Sequence, residues 1–445
     1  MIFYTLAVCF IALGLWWLLR VVLALKWVAS NKCIGEVDKK RKVFAVIPVL
    51  AETKRIEATV DYFRKSFGHI KNFKIVLVST ESEYAIHAAE TKKLLETAKN
   101  KREADSINNR ENTVDICKRL KKSGIMHYHY PKAGKKMAHQ LNFAIKDIIR
   151  KNGDCLFAVY NADSRPDKKT FDWVLSKKGY NVFQQYGNYF NNTDELNKSN
   201  VLWSAASWQT RWALGFEINH ALRQMKFIKR NIPFKSTLYP MNYCIGHGLF
   251  FTTKIFRKLK GFSENIHNED AIFGLELSYL NEPIMPIPYF DKSDSPNSLK
   301  ALFIQKSTWF FGPLQSFNYM KIIAKNRKIP INFSLFVQSL KLFSHAVYWM
   351  AGPALITLSL ILAIASLEWP KVLLWIIAYS SFFVLPNLLS ELALNKHKGV
   401  KTFIRISLGG LVCYIMHGLS AYKTLLDITI NKAFKTTVEK KRTPI

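Results

Sequence analysis

Two adjacent carboxylates, Glu269 and Asp270, follow His267 and Asn268 and open a run from Ala271 to Leu280 that reads as a helix. Such a pair can hold a general base, a group that takes a proton from an attacking hydroxyl. The same residues also have a structural use, because Asn is a good N-cap and acids in a first turn gain roughly 0.3–1 kcal/mol from the helix dipole. A second acidic segment, Asn161-Ala162-Asp163-Ser164-Arg165-Pro166-Asp167, leaves the carboxyl end of an apolar stretch from Cys155 to Tyr160. Open α/β sheets bind ligands at that end of a strand, although an Asp/Ser/Pro turn also serves simply to start a helix. Pro131 to Lys136 is a basic turn containing Gly134-Lys135, ahead of a helical run from Met137 to Arg150. Backbone amides and lysines at a helix start suit an anion. Between Cys244 and Phe250, two glycines, Gly246 and Gly248, flank His247 and permit a close backbone approach.

These segments need a scaffold, and the flanking pattern supplies one. Val43 to Val49, ending in Pro48 and followed by a loop with Glu52, reads as a buried parallel strand. A helical pattern from Ile56 to Phe67 and a second buried strand from Ile75 to Val78 complete a βαβ unit, with Ser79 to Glu83 as the following loop. Ala85 to Lys122 is charged and helical in composition, and Cys155 to Tyr160 is a third strand. Tyr180 to Gln185 and Ile284 to Phe290 are strand-like, while Trp203 to Trp212 is an aromatic stretch with amphipathic character. From Leu299 a helix carries Gln305, Lys306, Trp309, Phe310 and Phe311, aromatics and lysine that suit a membrane interface.

Charge and apolarity are unevenly spread over the 445 residues, with 64 Lys and Arg against 32 Asp and Glu for a formal net charge of +32. Met1 to Val28 is almost wholly apolar, longer than the roughly 20 residues a bilayer span needs, and it lacks the basic start of a cleaved signal. It is expected to anchor the mature chain, with the basic block behind it cytosolic by the positive-inside rule. Phe333 to Phe343 suits the interface, and Ala346 to Leu367 and Lys371 to Leu394 are long enough to span, with Glu368-Trp369-Pro370 as the outer turn. A fourth apolar stretch, Phe403 to Ala421, would carry the basic tail from Asn431 to Arg442 outside. It is therefore read as re-entrant or interfacial, or as the sign of a miscounted span. The six cysteines have no paired spacing, so neither a zinc site nor a disulfide framework is indicated, which suits a reducing cytosol. A nucleic-acid binder would share the basic charge but lacks any accompanying nucleic-acid module.

The order and spacing of these motifs resemble the membrane-integrated branch of the inverting family-two glycosyltransferases, which includes cellulose, chitin and hyaluronan synthases and ceramide glucosyltransferase. Five places carry the resemblance: Val46-Ile47-Pro48-Val49 with Glu52, Gly134-Lys135 with Gln140-Leu141-Asn142, Asn161 to Ser164, Glu269-Asp270, and Gln305 with Trp309. It extends to the segment from Lys423 to Leu426 and on through Phe434 and Thr437 to Lys440. The resemblance implies an α/β domain of the GT-A kind, a Rossmann-like mixed sheet inserted between an N-terminal transmembrane helix and a C-terminal helical membrane domain. The expected divisions are an anchor at 1–30, the cytosolic domain at 40–298, interfacial helices at 299–345, membrane helices at 346–427 and a basic tail at 428–445.

It further implies that Pro48, Glu52, Glu81, Lys135, Asn161 and Asp163 line the site for a nucleotide-sugar donor, a UDP-sugar by preference. Asp163 matches the aspartate of the family's DxD motif that reaches a divalent metal, Mg2+ or Mn2+. Asp270 matches the catalytic base, with Glu269 orienting the site or capping the helix. Gly246, His247 and Gly248 match the acceptor-side loop, and Gln305 and Trp309 match the QxxRW motif at the acceptor mouth. Three positions depart from the family pattern: Glu81 stands near the usual base-binding aspartate, Asn161 replaces the first acid of DxD, and Thr308 replaces the arginine of QxxRW. The implied partners are the donor, a glycan or lipid acceptor and the membrane (plasma or inner), without nucleic acid, and a homo-oligomer is compatible with so few spans. A scaffold of this kind that binds without turnover is the alternative.

Overall fold

The structure is a computed structural model that describes residues 1–134, 136–230, 235–238, 240–241, 243–266, 268–395, 397 and 399–433. Lys135, His267 and the tail from 434 lie outside the described residues. The chain forms two compact units: Ile34–Gln185 with Cys244–Phe273, and Met1–Cys33 with Tyr186–Tyr243 and Gly274–Ile445. This division differs from a continuous 40–298 block, because the segment beyond Gln185 continues into long apolar helices that bury their side chains among other helices rather than on the sheet.

The first unit is built on a mixed sheet. Its strands are β1 (Val43–Pro48), β2 (Phe73–Thr80), β3 (Met126–Tyr130), β4 (Leu156–Val159), β5 (Val182–Gln184) and β6 (Leu249–Thr252), in the spatial order β3-β2-β1-β4-β6-β5. The first four in that order run parallel, with Val46 opposite Val76 and Val159, while β6 is antiparallel to both β4 and β5. The apolar run of β1 is buried because the sheet is covered on both faces, the setting in which a strand shows no alternation. The Ile56–Phe67 helix lays Ile56, Val60, Phe63 and Phe67 on one stripe, all fully buried.

Several local expectations change. The charged 85–122 segment is three helices, Ser82–Leu95, Lys101–Asn108 and Thr113–Lys122. Asn100 and Asn112 restart the chain by accepting from the backbone N–H of Glu103 and Asp115, as N-caps do. Strand β2 runs on through Ser79 and Thr80, so the loop begins at Glu81. The 284–290 strand shrinks to Met285–Pro286, since Pro283, Pro286 and Pro288 offer no N–H to a ladder.

Among the described residues of the second unit, four helices are long and apolar enough to cross a membrane: Ile2–Ser30, Phe333–Ala365, Trp369–Asn395 and Gly399–Ile430. The expected interfacial 333–343 piece and the following span are one helix, started by Asn332, whose side chain accepts from Leu335 N–H at 3.0 Å. Of the alternatives for the fourth stretch, re-entrant, interfacial or a further span, it has the length of a span and is part of a continuous helix, Gly399–Ala433. It is held by close crossings at small residues. A Cβ on Gly409 would strike the Asn200 carbonyl, and one on Gly418 would meet the Pro353 ring.

A buried polar network ties this unit together. Glu391, 0% exposed, accepts from Trp203 Nε1 at 2.9 Å and from the Ser207 hydroxyl, and lies 3.0 Å from His397 Nδ1. With several partners satisfied at once, the carboxylate holds the Asn200–Trp212 helix to the Leu385–Asn395 helix. Truncation leaves those donors buried and unpaired. Glu391→Ala is expected to cost about 3 kcal/mol of stability, and Glu391→Gln less, measured as denaturation midpoints of the full chain in detergent.

Candidate active site

The carboxyl ends of β2, β1 and β4 converge on one edge of the first unit. Pro48 ends β1 where its missing N–H is not needed, and the chain then turns through Ala51 in a left-handed conformation, φ 51°. Glu83, buried, fixes this turn: its carboxylate accepts from Ala51 N–H at 2.5 Å and from Thr113 N–H at 3.0 Å. The Thr113 hydroxyl in turn accepts from Glu52 N–H at 2.9 Å. Glu52 is therefore held through its backbone by a residue that the motif pattern did not single out. The sequence carried no signal for it, since Glu83 lies in a charged segment and is the one buried side chain of the Ser82–Leu95 helix.

Glu81 follows β2 directly and belongs to a chain of polar contacts. Its Oε2 lies 2.8 Å from His129 Nε2, His129 Nδ1 lies 3.0 Å from Ser79 Oγ, and Ser79 Oγ lies 2.8 Å from His127 Nε2. Strand β3 supplies both histidines. It escapes sequence reading because Met-His-Tyr-His-Tyr has polar aromatics where a buried strand would have aliphatics. Burial first, then the charges of His129, Lys121 and Lys118, lowers His127 to about 4. Gly134 N–H donates to Ser82 Oγ at 2.8 Å, bringing the basic turn to the same edge.

The turn after β4 carries Asn161 and Asp163. Ser164 N–H donates to Asn161 O at 3.2 Å, and Asn161 N–H to Ser164 Oγ at 3.3 Å, a compact loop that presents Asp163 between them. Thr59 secures it, donating to the Ala162 carbonyl and accepting from Arg165 Nη1 at 2.9 Å. Beside this turn lies the Cys244–Gly248 loop, because Val159 faces Leu249 in the β4–β6 ladder. Gly248 donates to Val159 O at 2.8 Å with φ 66°, and its α-carbon sits so close to Gln185 that no side chain would fit. Gln184 clamps the rest, donating to His247 O at 2.8 Å and accepting from Ile245 N–H at 3.0 Å. His247 is buried.

Glu269 and Asp270 start the Glu269–Tyr279 helix as expected. Glu269 is only 4% exposed, whereas Asp270 is half-buried. Asp270 Oδ1 accepts from Ala271 N–H at 2.8 Å, and a Cβ on Gly246 would sit 3.2 Å from Oδ2. The glycine is thus what allows the loop to pass the carboxylate. Burial, then the charge of Asp270, pushes the neighbouring Cys244 thiol well up, so it is no nucleophile. The approach to Asp270 is anchored by Asn142, which donates to Phe262 O and Glu264 Oε1 and accepts from Phe262 N–H, each at 2.8 Å.

Gln305, Thr308 and Trp309 stand in the other unit, on the Leu299–Leu314 helix. Gln305 is buried and accepts from Gln209 Nε2 at 2.8 Å, while Trp309 is 36% exposed with Lys306 4.6 Å from its ring.

Residues 216–388 match the family described as glycosyl transferase family group 2. The match covers less than half of the 445 residues. The match spans the Gly246 loop, Glu269-Asp270 and Gln305 to Trp309. Among solved structures, the chain is similar to a mannosyltransferase of Pyrobaculum calidifontis in complex with GDP-Man and Mn2+. That similarity is at 13% identity and TM-score 0.48, over 96% of this chain and 99% of the other. It is also similar to S. aureus TarS 1–349, at 10% identity and TM-score 0.34 over 86% and 91% of the two chains. TarS 1–349 with UDP-GlcNAc gives 11% and 0.35 over 86% and 92%. No curated protein matches the sequence.

Two predictions follow from this geometry. In Gly246→Ala the added methyl displaces the Asp270 carboxylate, so transfer should fall by on the order of 10–100-fold with the melting temperature nearly unchanged, read as turnover of the purified full chain. The second concerns pH. His127 takes up its proton more readily unfolded, near its ordinary 6.5, than folded, near 4. Stability should therefore decline as pH falls from 6.5 to 4, and His127→Gln should flatten that part of the profile of denaturation midpoint against pH.

Proposed function

We propose that this chain moves a sugar from a cytosolic nucleotide-sugar, a UDP-sugar by preference, to a lipid-linked or polysaccharide acceptor at the membrane, with inversion at the anomeric carbon. The observation that carries the reading is the seating of Asp270. One carboxylate oxygen is tied to its own helix and the other faces the glycine loop, at the same edge as the strand ends. In this reading Asp270 takes the proton from the acceptor hydroxyl. That oxygen bonds to the anomeric carbon as the bond to the nucleoside diphosphate breaks and the diphosphate leaves. A single displacement needs no enzyme nucleophile, which agrees with the inert Cys244. Glu269, buried at the helix start, orients Asp270.

Pro48, Glu52, Glu81, Asn161 and Asp163 form the donor side, with Glu81 accepting from the base while His129 fixes its position. The basic turn that Gly134 ties to Ser82 faces the diphosphate; Lys135, expected to assist there, lies outside the described residues. Among the described residues no group of three or more His, Cys, Asp or Glu side chains stands together. A hard cation such as Mg2+ or Mn2+ is held by one or two carboxylates and completes its shell with substrate phosphates and water. Asp163 would hold it, with Asn161 beside it, and the cation would neutralise the departing diphosphate. Gly246 to Gly248, beside Asp270, serve the acceptor. The cytosolic side is supported by the basic residues that flank the spans.

The test is nucleoside diphosphate release by the purified chain across a panel of sugar nucleotides with Mn2+ or Mg2+. Asp270→Asn should lower release by about 10²–10⁴-fold while retaining donor binding. Asp163→Ala should lose metal-dependent donor binding. Undiminished release in Asp270→Asn would refute the base, and no release with any donor, in lipid as in detergent, would favour a non-catalytic scaffold.

A further inference from the structure

Among the described residues the helical unit buries three cations that no carboxylate compensates: Arg20, which bonds to Phe216 O and His220 Nδ1, and two more. Arg211, on the Asn200–Trp212 helix, and Lys306, on the Leu299–Leu314 helix, are each 3% exposed. Among the described residues neither forms an ion pair, and Arg211 Nε and Nη1 have no hydrogen-bond partner. Aromatic faces are their main company. The Arg211 guanidinium lies 4.3 Å over the Trp17 ring, and the Lys306 ammonium lies 4.6 Å from Trp309 and 5.7 Å from Trp208. Such contacts contribute about 0.5–2 kcal/mol each, less than the several kcal/mol lost when a cation leaves water unpaired.

The two cations address one place. Trp208 links them, lying on the same helix as Arg211 with its ring 5.7 Å from the Lys306 ammonium, and a single turn of the Gly399–Ala433 helix, Tyr414 to His417, packs on it. Trp208, one turn before Arg211, packs on the same turn, its ring 5.2 Å from Tyr414 and 4.0 Å from His417. Its buried indole N–H also has no partner. The cluster therefore presents donors from Trp208, Arg211 and Lys306, the complement of an anion rich in acceptor oxygens. Burial lowers Lys306 to about 7 and moves Arg211 below its ordinary value, the direction an uncompensated cation takes.

We propose that Arg211, Lys306 and the Trp208 indole form a binding site for the phosphate of a membrane lipid, the phosphate-bearing end of the acceptor. A lipid source is favoured because two of the surrounding helices, Phe333–Ala365 and Gly399–Ile430, are long and apolar enough to span. The acceptor role rests on the transferase reading above. Binding does not, and it is measured without donor so that failure of one is distinguishable from failure of the other.

The experiment titrates the full chain in detergent with farnesyl monophosphate, with farnesol and inorganic phosphate as separate arms. Farnesyl monophosphate should bind and raise the melting temperature, and farnesol should not. Arg211→Gln and Lys306→Gln should each weaken binding at least about tenfold, equivalent to about 1.4 kcal/mol. Without ligand the variants should melt at or above the wild-type temperature, because an unpaired buried charge has been removed. Unchanged affinity in both variants would overturn the site. So would variants that melt far lower while farnesyl monophosphate leaves wild type unaffected, which would make the cations structural. Inorganic phosphate binding as tightly as the farnesyl ester would overturn the lipid assignment in favour of a soluble anion.

Discussion

The constraint on which the catalytic edge depends is the path of the backbone from Cys244 to Gly248. The chain must pass between the end of β4, the glutamines at the end of β5 and the Asp270 carboxylate, and a Cβ finds no room at Gly248 and only a tight fit at Gly246. Gly248 meets that demand with a left-handed backbone and a bond to Val159, and Gly246 by lacking a Cβ. Gln184 satisfies both a carbonyl and an amide of the loop. A buried loop carries polar backbone groups that must be paired, so a glutamine with one donor and one acceptor end is a fitting partner. Because Val159 leads into Asn161 and Asp163, the same path joins the two acidic segments.

The donor edge follows a related rule. Each polar residue there is positioned by a buried partner one step further in: Glu52 by Thr113 and Glu83, Glu81 by His129 and Ser79, and the Asp163 turn by Thr59. Partners of this kind limit the side-chain entropy lost when a ligand arrives, and so contribute to orientation more than to fold stability.

The helical unit uses buried charge in two opposite ways. Glu391 is surrounded by donors and works as a tie between helices. Arg211 and Lys306 are surrounded by rings and unpartnered donors. In an apolar bundle a satisfied charge fixes structure, whereas an unsatisfied one points to a ligand of opposite sign.

The sequence by itself determined much of the scaffold. Continuous apolar runs marked β1, the core of β2 and β4, because a strand covered on both faces needs aliphatics throughout, and helix periodicity marked Ile56 to Phe67. It also determined that Glu269 and Asp270 open a helix, since capping and dipole effects are local. Strand β3, the clamp of Gln184, the support of Glu83 and the lone cations Arg211 and Lys306 were decided only in the tertiary structure. Each depends on which residue, tens to hundreds of positions away, comes to lie opposite. A histidine in a strand, a glutamine before a loop or an arginine in an aromatic helix carries no local sign of its partner, and its role exists only once the fold has supplied or withheld one.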